Sequence, residues 1–311
     1  MTKTPAAAEH IAKREAARDP AMAKVPPRLE GTRTNGEERS ARERHKRLCP
    51  SIVPLLGIKV NRLSAVFWDV DGTLADTEMD GHRPAFNAAF AELKLPFHWD
   101  EQLYNKLLAI PGGLRRVKVH AEACGVTLNQ HQLDQVRDRK RFHYFERVRQ
   151  GYVRLRPGVR RLLWELNRAG VKQWIVTSSG SASVTALLEQ VQQHIPHFDG
   201  VVTSDDVSAG KPAPDGYRLA LSRSGADTAA CLAVEDSAAG LSAATSAGLR
   251  CLLTPSPWDA AALRDVVADA AAVLDHLGDS KGSATVFQGP PCQDGTVTLK
   301  YLETLVSVPD R

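Results

Sequence analysis

Two aspartates separated by a single residue, Asp69 and Asp71, stand directly after an apolar run at residues 64–68. A run of this length and composition predicts a buried strand, and Gly72 lets the backbone turn sharply behind the second acid. Two ionised carboxylates at one strand end repel each other, and each loses hydration energy on burial. We therefore expect a cation, most simply a metal ion, beside them.

Downstream of residue 156, helical and strand patterns alternate along the chain. The predicted helices are 157–169, 183–193, 215–224 and 237–247, and the predicted strands are 173–176, 201–202, 231–234 and 251–253. Such regular alternation predicts an α/β fold: a Rossmann-like parallel sheet with right-handed crossovers and helices on both faces. Ligands of such sheets bind beyond the carboxyl ends of the strands.

The stretch between the aspartates and this alternating region has helical periodicity and no strand pattern. Its predicted helices are 82–93, 100–110, 112–124 and 129–150. An all-helical insert that leaves and re-enters the chain beside the two aspartates is typical of a mobile lid over an active site.

Further polar residues follow the predicted strands in order. They are Thr177, Ser178, Ser179, Lys211, Glu235 and Asp236. Taken singly, Thr177 could be a loop hydroxyl, Lys211 a surface lysine, and the Glu235-Asp236 pair a helix cap. Taken together at strand ends, they indicate one site at the edge of the sheet.

This set resembles the four motifs of the haloacid dehalogenase superfamily across about residues 62–277. The matching segments are Asp69-Val70-Asp71-Gly72-Thr73, Thr177, Lys211 and Glu235-Asp236. The resemblance implies that Asp69 is the nucleophile and Asp71 a general acid/base working through its side chain. It also implies that Thr177 and backbone amides near Ser178 and Ser179 hold a transferring phosphoryl group.

The resemblance assigns the cations as well. Lys211 would offset negative charge around the nucleophile and the phosphate, and Mg²⁺ would be the cofactor. The implied metal ligands are Asp69, Asp71 through its backbone carbonyl, Glu235 and Asp236.

The insert resembles the C1-type helical cap of the superfamily and, in detail, its CbbY-like subgroup. The segments that carry this likeness are 76–87, 99–104 and 112–116. The subgroup usually has Gly-Gly-Lys-Glu-Arg at the last of these, whereas here Leu114 replaces the Lys and Arg115 the Glu. We expect Arg115 and Arg116 to bind a second, non-reacting phosphate, and Glu78 and His82 to orient sugar hydroxyls.

The function implied is a Mg²⁺-dependent phosphatase that hydrolyses a small sugar phosphate or bisphosphate, such as xylulose-1,5-bisphosphate, through an aspartyl-phosphate. Asp71 excludes a dehalogenase, because members of that type lack the second Asp. Sugar phosphotransfer of the β-phosphoglucomutase kind is the closest alternative, and the four motifs do not separate the two. A third alternative is a non-catalytic protein that binds a partner or nucleic acid through its basic N-terminal tail.

Composition limits the remaining possibilities. Residues 1–48 contain 12 Lys and Arg against 7 Asp and Glu, so the net charge of +4 arises in this N-terminal tail. The positive charge therefore gives no support to nucleic acid as a partner of the remainder of the chain. No apolar run reaches the roughly 20 residues of a membrane span. Five scattered cysteines without a CxxC pair suit reduced thiols. We expect a cytoplasmic protein without membrane contact, and a monomer is favoured.

The predicted organisation has four parts. Residues 1–60 form a basic, largely disordered extension, residues 61–80 and 154–277 form the catalytic core, and residues 81–153 form the helical cap. A loose linker and a C-terminal tail occupy 278–311, and the tail has an apolar face that suits a short docking helix or an edge strand.

Overall fold

The computed structural model of the protein describes residues 62–110, 112–256 and 267–307. The predicted N-terminal extension, 1–60, lies outside these residues. In the described part of the chain, no helix is long and apolar enough to cross a membrane.

Within the described residues, seven strands form a single sheet in the order β3-β2-β1-β4-β5-β6-β7. Their bounds are β1 Ala65–Trp68, β2 Lys172–Val176, β3 Gly200–Val202, β4 Cys231–Glu235, β5 Arg250–Leu253, β6 Ala272–Leu274 and β7 Val286–Gln288. The first six pair in parallel, and β7 pairs antiparallel with β6. The predicted Rossmann-like parallel sheet is confirmed, and β1 lies in its interior between β2 and β4.

A helical insert follows β1 and precedes the last helix before β2. The insert begins with a π-helical turn, Glu78–His82, and continues with α1 Arg83–Glu92, α2 Glu101–Leu108, α3 Gly113–Ala123 and α4 Gln130–Arg149. Asp100 caps α2, and Asn129 with Gln132 forms a capping box on α4. An apolar cluster around Phe90 and Trp99 gives the insert its own core. The prediction of an all-helical insert after the first strand is confirmed.

The remaining helices cover both faces of the sheet. They are α5 Val159–Arg168, α6 Ser181–Val191, α7 Asp215–Ser224, α8 Ala238–Ser246 and α9 Leu299–Ser307. Successive side chains of a strand point to opposite faces. Val66 and Trp68 accordingly join the apolar cluster on one face, and Ala65 and Phe67 join the cluster on the other. β1 is therefore buried on both sides, as its continuous apolar sequence requires.

The C-terminal region differs from prediction. The stretch 278–295 is not a loose linker, because it contains β7, which extends the sheet beyond β6. Its glycines serve close packing: a Cβ on Gly278, at φ +70°, would lie 2.0 Å from the carbonyl oxygen of Gly295. Of the two alternatives for the apolar segment that follows, the helix is correct, because α9 packs against α5 and β4.

Candidate active site

Asp69 leaves β1 at the carboxyl edge of the sheet and is only 5 % exposed. Its backbone N–H donates to the carbonyl of Val234 on β4, which continues the strand pairing up to the acid itself. Burial raises the pKa of Asp69 to about 7, the Lys211 ammonium opposes this, and the carboxylates of Glu235 and Asp71 add to it. The carboxylate is thus fixed in a place where its charge is unfavourable unless a cation accompanies it.

Lys211 supplies one positive charge at this point. Its Nζ lies 2.5 Å from Asp69 Oδ1 and 2.6 Å from Glu235 Oε1, and it donates to the carbonyl of Val176 at 2.9 Å. Burial disfavours the ammonium, but the two carboxylates outweigh it and raise the pKa of Lys211. Lys211 therefore stays charged and ties the ends of three strands together.

Glu235 is completely buried at the end of β4. Its Oε1 also accepts a 2.5 Å hydrogen bond from Tyr217 of α7, and its Oε2 has no hydrogen-bond partner in the part of the chain that the structure describes. Ser237, not the acidic pair, caps α8. The capping alternative for Glu235 and Asp236 is therefore wrong.

Asp236 completes an acidic cluster with Asp69 and Glu235. One carboxylate oxygen from each lies within 4.8 Å of the others, a spacing that could hold a metal ion. Burial and the two neighbouring carboxylates raise the pKa of Asp236 well above its usual range. Gly72 approaches so closely that a Cβ there would lie 1.9 Å from Asp236 Oδ2. The turn after β1 thus requires glycine both for its φ of +82° and for the space taken by the acid.

Asp71 lines the same cavity as Asp69 and Asp236 but has hydrogen-bond partners of its own. Its carboxylate accepts hydrogen bonds from the hydroxyls of Thr77 and Ser179, which lie on opposite sides of it. Each hydroxyl donates to a different oxygen, so together they fix the orientation of the carboxylate.

The segment after β2 carries the three predicted hydroxyl residues. Thr177 is buried, and its Oγ1 accepts from the backbone N–H of Ser179 at 3.1 Å. Ser178 lines the cavity beside Lys211. The Ser179 amide is thus engaged within the loop, and the Ser179 hydroxyl binds Asp71.

The insert contributes a second wall of polar side chains. Tyr104 OH donates to Glu78 Oε2 at 2.5 Å, and Arg116 donates to Tyr104 OH and to the Leu107 carbonyl, each at 3.0 Å. Burial raises the pKa of Glu78, while Tyr104 and Arg116 lower it. Arg116 is 7 % exposed, whereas Arg115 is exposed and does not line the cavity. The sequence predicts the same phosphate-binding role for both arginines, but in the structure only Arg116 lines the cavity.

His82 lies behind Asp71 and not on the cavity wall. Its Nε2 is 4.0 Å from Asp71 Oδ1, and Lys140 of α4 donates to its Nδ1 at 3.1 Å. Burial, Lys140 and Arg116 hold the pKa of His82 well below its usual value, so the ring is neutral. With Nδ1 accepting, Nε2 carries the proton and faces the Asp71 carboxylate.

Both walls enclose a cavity of about 250 Å³. Its lining joins sheet-edge and insert residues: Asp69, Asp71, Gly72, Asp76, Glu78, Leu108, Arg116, Ser178, Lys211, Asp236, Ser237, Ala239 and Ser256. These features define the class of protein: an enzyme whose chemistry depends on strand-end carboxylates and a lysine beneath a helical insert.

Comparison with known proteins gives the family. The sequence profile of the haloacid dehalogenase-like hydrolases matches residues 63–248. The chain is 41% identical over 228 residues to protein CbbY (plasmid) of Cupriavidus necator, covering 70% of this chain and 87% of that one. A crystal structure of CbbY from Rhodobacter sphaeroides in complex with phosphate is 34% identical, with a TM-score of 0.56 over 63% of this chain and 88% of that one.

A second crystal structure, of a mutant of the same Rhodobacter sphaeroides protein in complex with xylulose-(1,5)bisphosphate, is 33% identical, with a TM-score of 0.55 over the same shares. The chain belongs to the haloacid dehalogenase-like hydrolase family and, within it, to the CbbY-like group of phosphatases. Membership of an enzyme family speaks against the non-catalytic alternative.

Proposed function

We propose that the protein is a Mg²⁺-dependent phosphatase that removes phosphate from a small sugar bisphosphate through an aspartyl-phosphate on Asp69. One observation carries the proposal: Asp69 is buried in the cavity with Lys211 on one of its oxygens and Glu235 and Asp236 around it. Nucleophilic attack by a carboxylate on a phosphate requires positive charge to screen the two anions, and Lys211 together with a cation held by the acidic cluster would supply it.

The residues present suit a hard divalent cation. Three carboxylates face one lysine, so the cluster retains an excess of negative charge. The raised pKa values of Asp69 and Asp236 also indicate a need for a cation, and so does Glu235 Oε2, which finds no hydrogen-bond donor among the described residues. Oxygen ligands are those that Mg²⁺ prefers. Asp69, Asp236, Glu235 and the Asp71 carbonyl would hold the ion, which when bound screens the negative charge of nucleophile and phosphate.

The protein's own groups then account for bond making and breaking. The Asp69 carboxylate attacks phosphorus, and the bond from phosphorus to the sugar oxygen breaks as Asp71 gives that oxygen a proton. Asp71 next takes a proton from a water molecule that attacks the aspartyl-phosphate. Inorganic phosphate leaves, and Asp69 is regenerated. Thr77 and Ser179 hold the Asp71 carboxylate in orientation for both transfers.

Specificity would reside in the insert. Glu78 offers an acceptor for sugar hydroxyls, and Arg116 offers a guanidinium for a second phosphate across the same cavity. The likeness to a CbbY structure in complex with xylulose-(1,5)bisphosphate supports a pentulose bisphosphate as the substrate. The helical insert would act as a cap that excludes water during the phosphoryl transfer.

A phosphate-release assay over sugar monophosphates and bisphosphates, with Mg²⁺ and with chelator, tests the proposal. We expect turnover of a pentulose bisphosphate that requires Mg²⁺, and a loss on the order of 10³ or more for Asp69→Asn. Asp138→Asn, which changes an exposed carboxylate on α4, is the matched control and should retain activity. Full activity in chelator, or in folded Asp69→Asn protein, would contradict the mechanism.

A further inference from the structure

Arg156 lies on the segment that returns from the insert to the core. Its backbone N–H donates to the Leu74 carbonyl, and the preceding Leu155 forms a bridge with Ala75. The outgoing and returning connections of the insert are thus paired at this point, directly beside the turn that holds the catalytic aspartates.

The Arg156 guanidinium binds carbonyl groups from three different loops. It donates to the Gly72 carbonyl after β1, to the Thr254 and Pro255 carbonyls after β5, at 2.5 and 3.0 Å, and to the Asp275 carbonyl after β6, at 2.8 Å. The planar guanidinium offers five N–H donors in a fixed arrangement, which suits several acceptors at once. Among the described residues, its hydrogen-bond acceptors are backbone carbonyls and the Thr254 hydroxyl. Burial lowers the pKa of this half-buried side chain, while three carboxylates favour its positive charge electrostatically, those of Asp236, Asp76 and Asp275.

Two of these contacts lead directly to the acidic cluster. Gly72 lies against the Asp236 carboxylate and follows Asp71 in the chain. Thr254 donates from its backbone N–H to the Glu235 carbonyl at 2.7 Å. One side chain therefore holds the backbone on both sides of the proposed metal ligands.

We infer that Arg156 is a positioning residue for the cation site: it sets the distance between the turn at Asp71 and the Glu235-Asp236 strand end. The inference rests on the proposed Mg²⁺ dependence. Mg²⁺ demands near-ideal octahedral geometry, so small displacements of its ligands weaken binding. Because Arg156 lies on the segment that returns from the insert, it also links that segment to the loops that carry the proposed metal ligands.

Calorimetric titration of Mg²⁺ into the full chain tests this inference. Arg156→Lys keeps the charge but cannot span three loops, and Arg156→Met keeps the aliphatic bulk. We expect each folded variant to bind Mg²⁺ about tenfold more weakly or worse than wild type. Arg160→Lys and Arg160→Met, at an exposed arginine four residues away, are matched controls and should bind like wild type. Wild-type Mg²⁺ affinity in a folded Arg156 variant, even one with a lowered Tm, overturns the inference.

Hydrogen exchange of the wild-type protein keeps the test independent of variant folding. We expect Mg²⁺ to slow exchange at the amides of Gly72, Arg156 and Thr254, which donate to Ala75, Leu74 and Glu235. Unchanged exchange at all three, in protein that calorimetry shows to bind Mg²⁺, overturns the inference and leaves the proposed function intact. Wild-type protein that binds no Mg²⁺ overturns both.

Discussion

Asp71 and Asp236 both line the cavity, but their side chains have different neighbours. The Asp71 carboxylate accepts two hydroxyl hydrogen bonds, whereas Asp236 belongs to the acidic cluster. Asp71→Ala should therefore bind Mg²⁺ like wild type and lose turnover, and Asp236→Ala should lose Mg²⁺ affinity first. Calorimetric titration combined with kcat at saturating Mg²⁺ measures the difference. Equal loss of affinity in both variants would show that the two acids share one role.

The titration of Lys140 should make the free energy of unfolding depend on pH. Burial lowers the pKa of Lys140 from 10.5 to about 8, against smaller favourable contributions from Glu78 and Asp71. Below pH 8 the folded protein bears the cost of a buried charge. Between about pH 8 and 10.5 the folded protein releases this proton while the unfolded chain keeps it, so the free energy of unfolding rises with pH.

Urea denaturation near pH 7 and pH 9.5 tests this assignment. Relative to Lys140→Met, the wild type should gain stability at the higher pH, on the order of 1–3 kcal/mol. Lys118→Met removes an exposed lysine of α3 and should show no such pH-dependent difference. A difference between wild type and Lys140→Met that is the same at both pH values refutes the shifted titration.

At the level of single residues, sequence order predicted the acids and the lysine but not what surrounds them. The carboxyl ends of parallel strands meet at one edge, so Asp69, Lys211 and Glu235 could be placed together from strand order alone. Tyr217, Lys140 and Arg156 carried no such signal. Each of them contacts residues that are distant in the sequence; Lys140, for example, binds His82, 58 positions earlier. Contacts of this kind leave no periodic pattern in the sequence.

Among the elements, helix α3 determines which of two neighbouring arginines lines the cavity. It buries Arg116 against Tyr104 and leaves Arg115 exposed, because adjacent residues of a helix point about 100° apart. If Arg116 binds the distal phosphate, Arg116→Ala should lower kcat/KM for a sugar bisphosphate roughly 10- to 150-fold, from about 1.5–3 kcal/mol of charge-assisted hydrogen bonding.

Two comparisons isolate this effect. Hydrolysis of p-nitrophenyl phosphate, which has no second phosphate, should change little in Arg116→Ala. Arg115→Ala is the matched variant on the exposed side of α3 and should leave both substrates nearly unaffected. Equal losses on both substrates in Arg116→Ala would mean that the arginine supports the insert core, and the bisphosphate reading would fail.

The insert also shows where element prediction succeeds and stops. The predicted ends of its four α-helices all lie within two residues of the observed ones, because apolar periodicity and caps such as Asn129 mark them clearly. The π-helical turn Glu78–His82 was not predicted, since a π-turn has no periodic signature of its own. This turn nonetheless carries both Glu78 and His82, so the orientation of two candidate site residues depends on it.

Over the whole molecule, the unpredicted part is the far edge of the sheet. Strands β6 and β7 are three residues each, too short for a period-2 pattern to be distinguished from a loop, and β7 lies in a Gly- and Pro-rich stretch. Helix α9 then returns across the sheet, where Leu302 and Leu305 are buried in the cluster that contains Trp68. The C-terminal region is therefore part of the core and not an appendage.

Leu302→Ala tests whether this region stabilises the entire molecule. The side chain is completely buried, so its truncation should cost about 2–5 kcal/mol in the free energy of unfolding. Phe287→Ala, on β7 but 66% exposed, is the control and should stay within about 0.5 kcal/mol of wild type. Chemical denaturation followed by circular dichroism measures both, and a single cooperative transition is expected because α9 and β1 share one cluster.

Activity of the folded Leu302→Ala protein should persist, since α9 contributes no residue to the cavity. A wild-type denaturation midpoint for Leu302→Ala would mean that α9 does not stabilise the sheet.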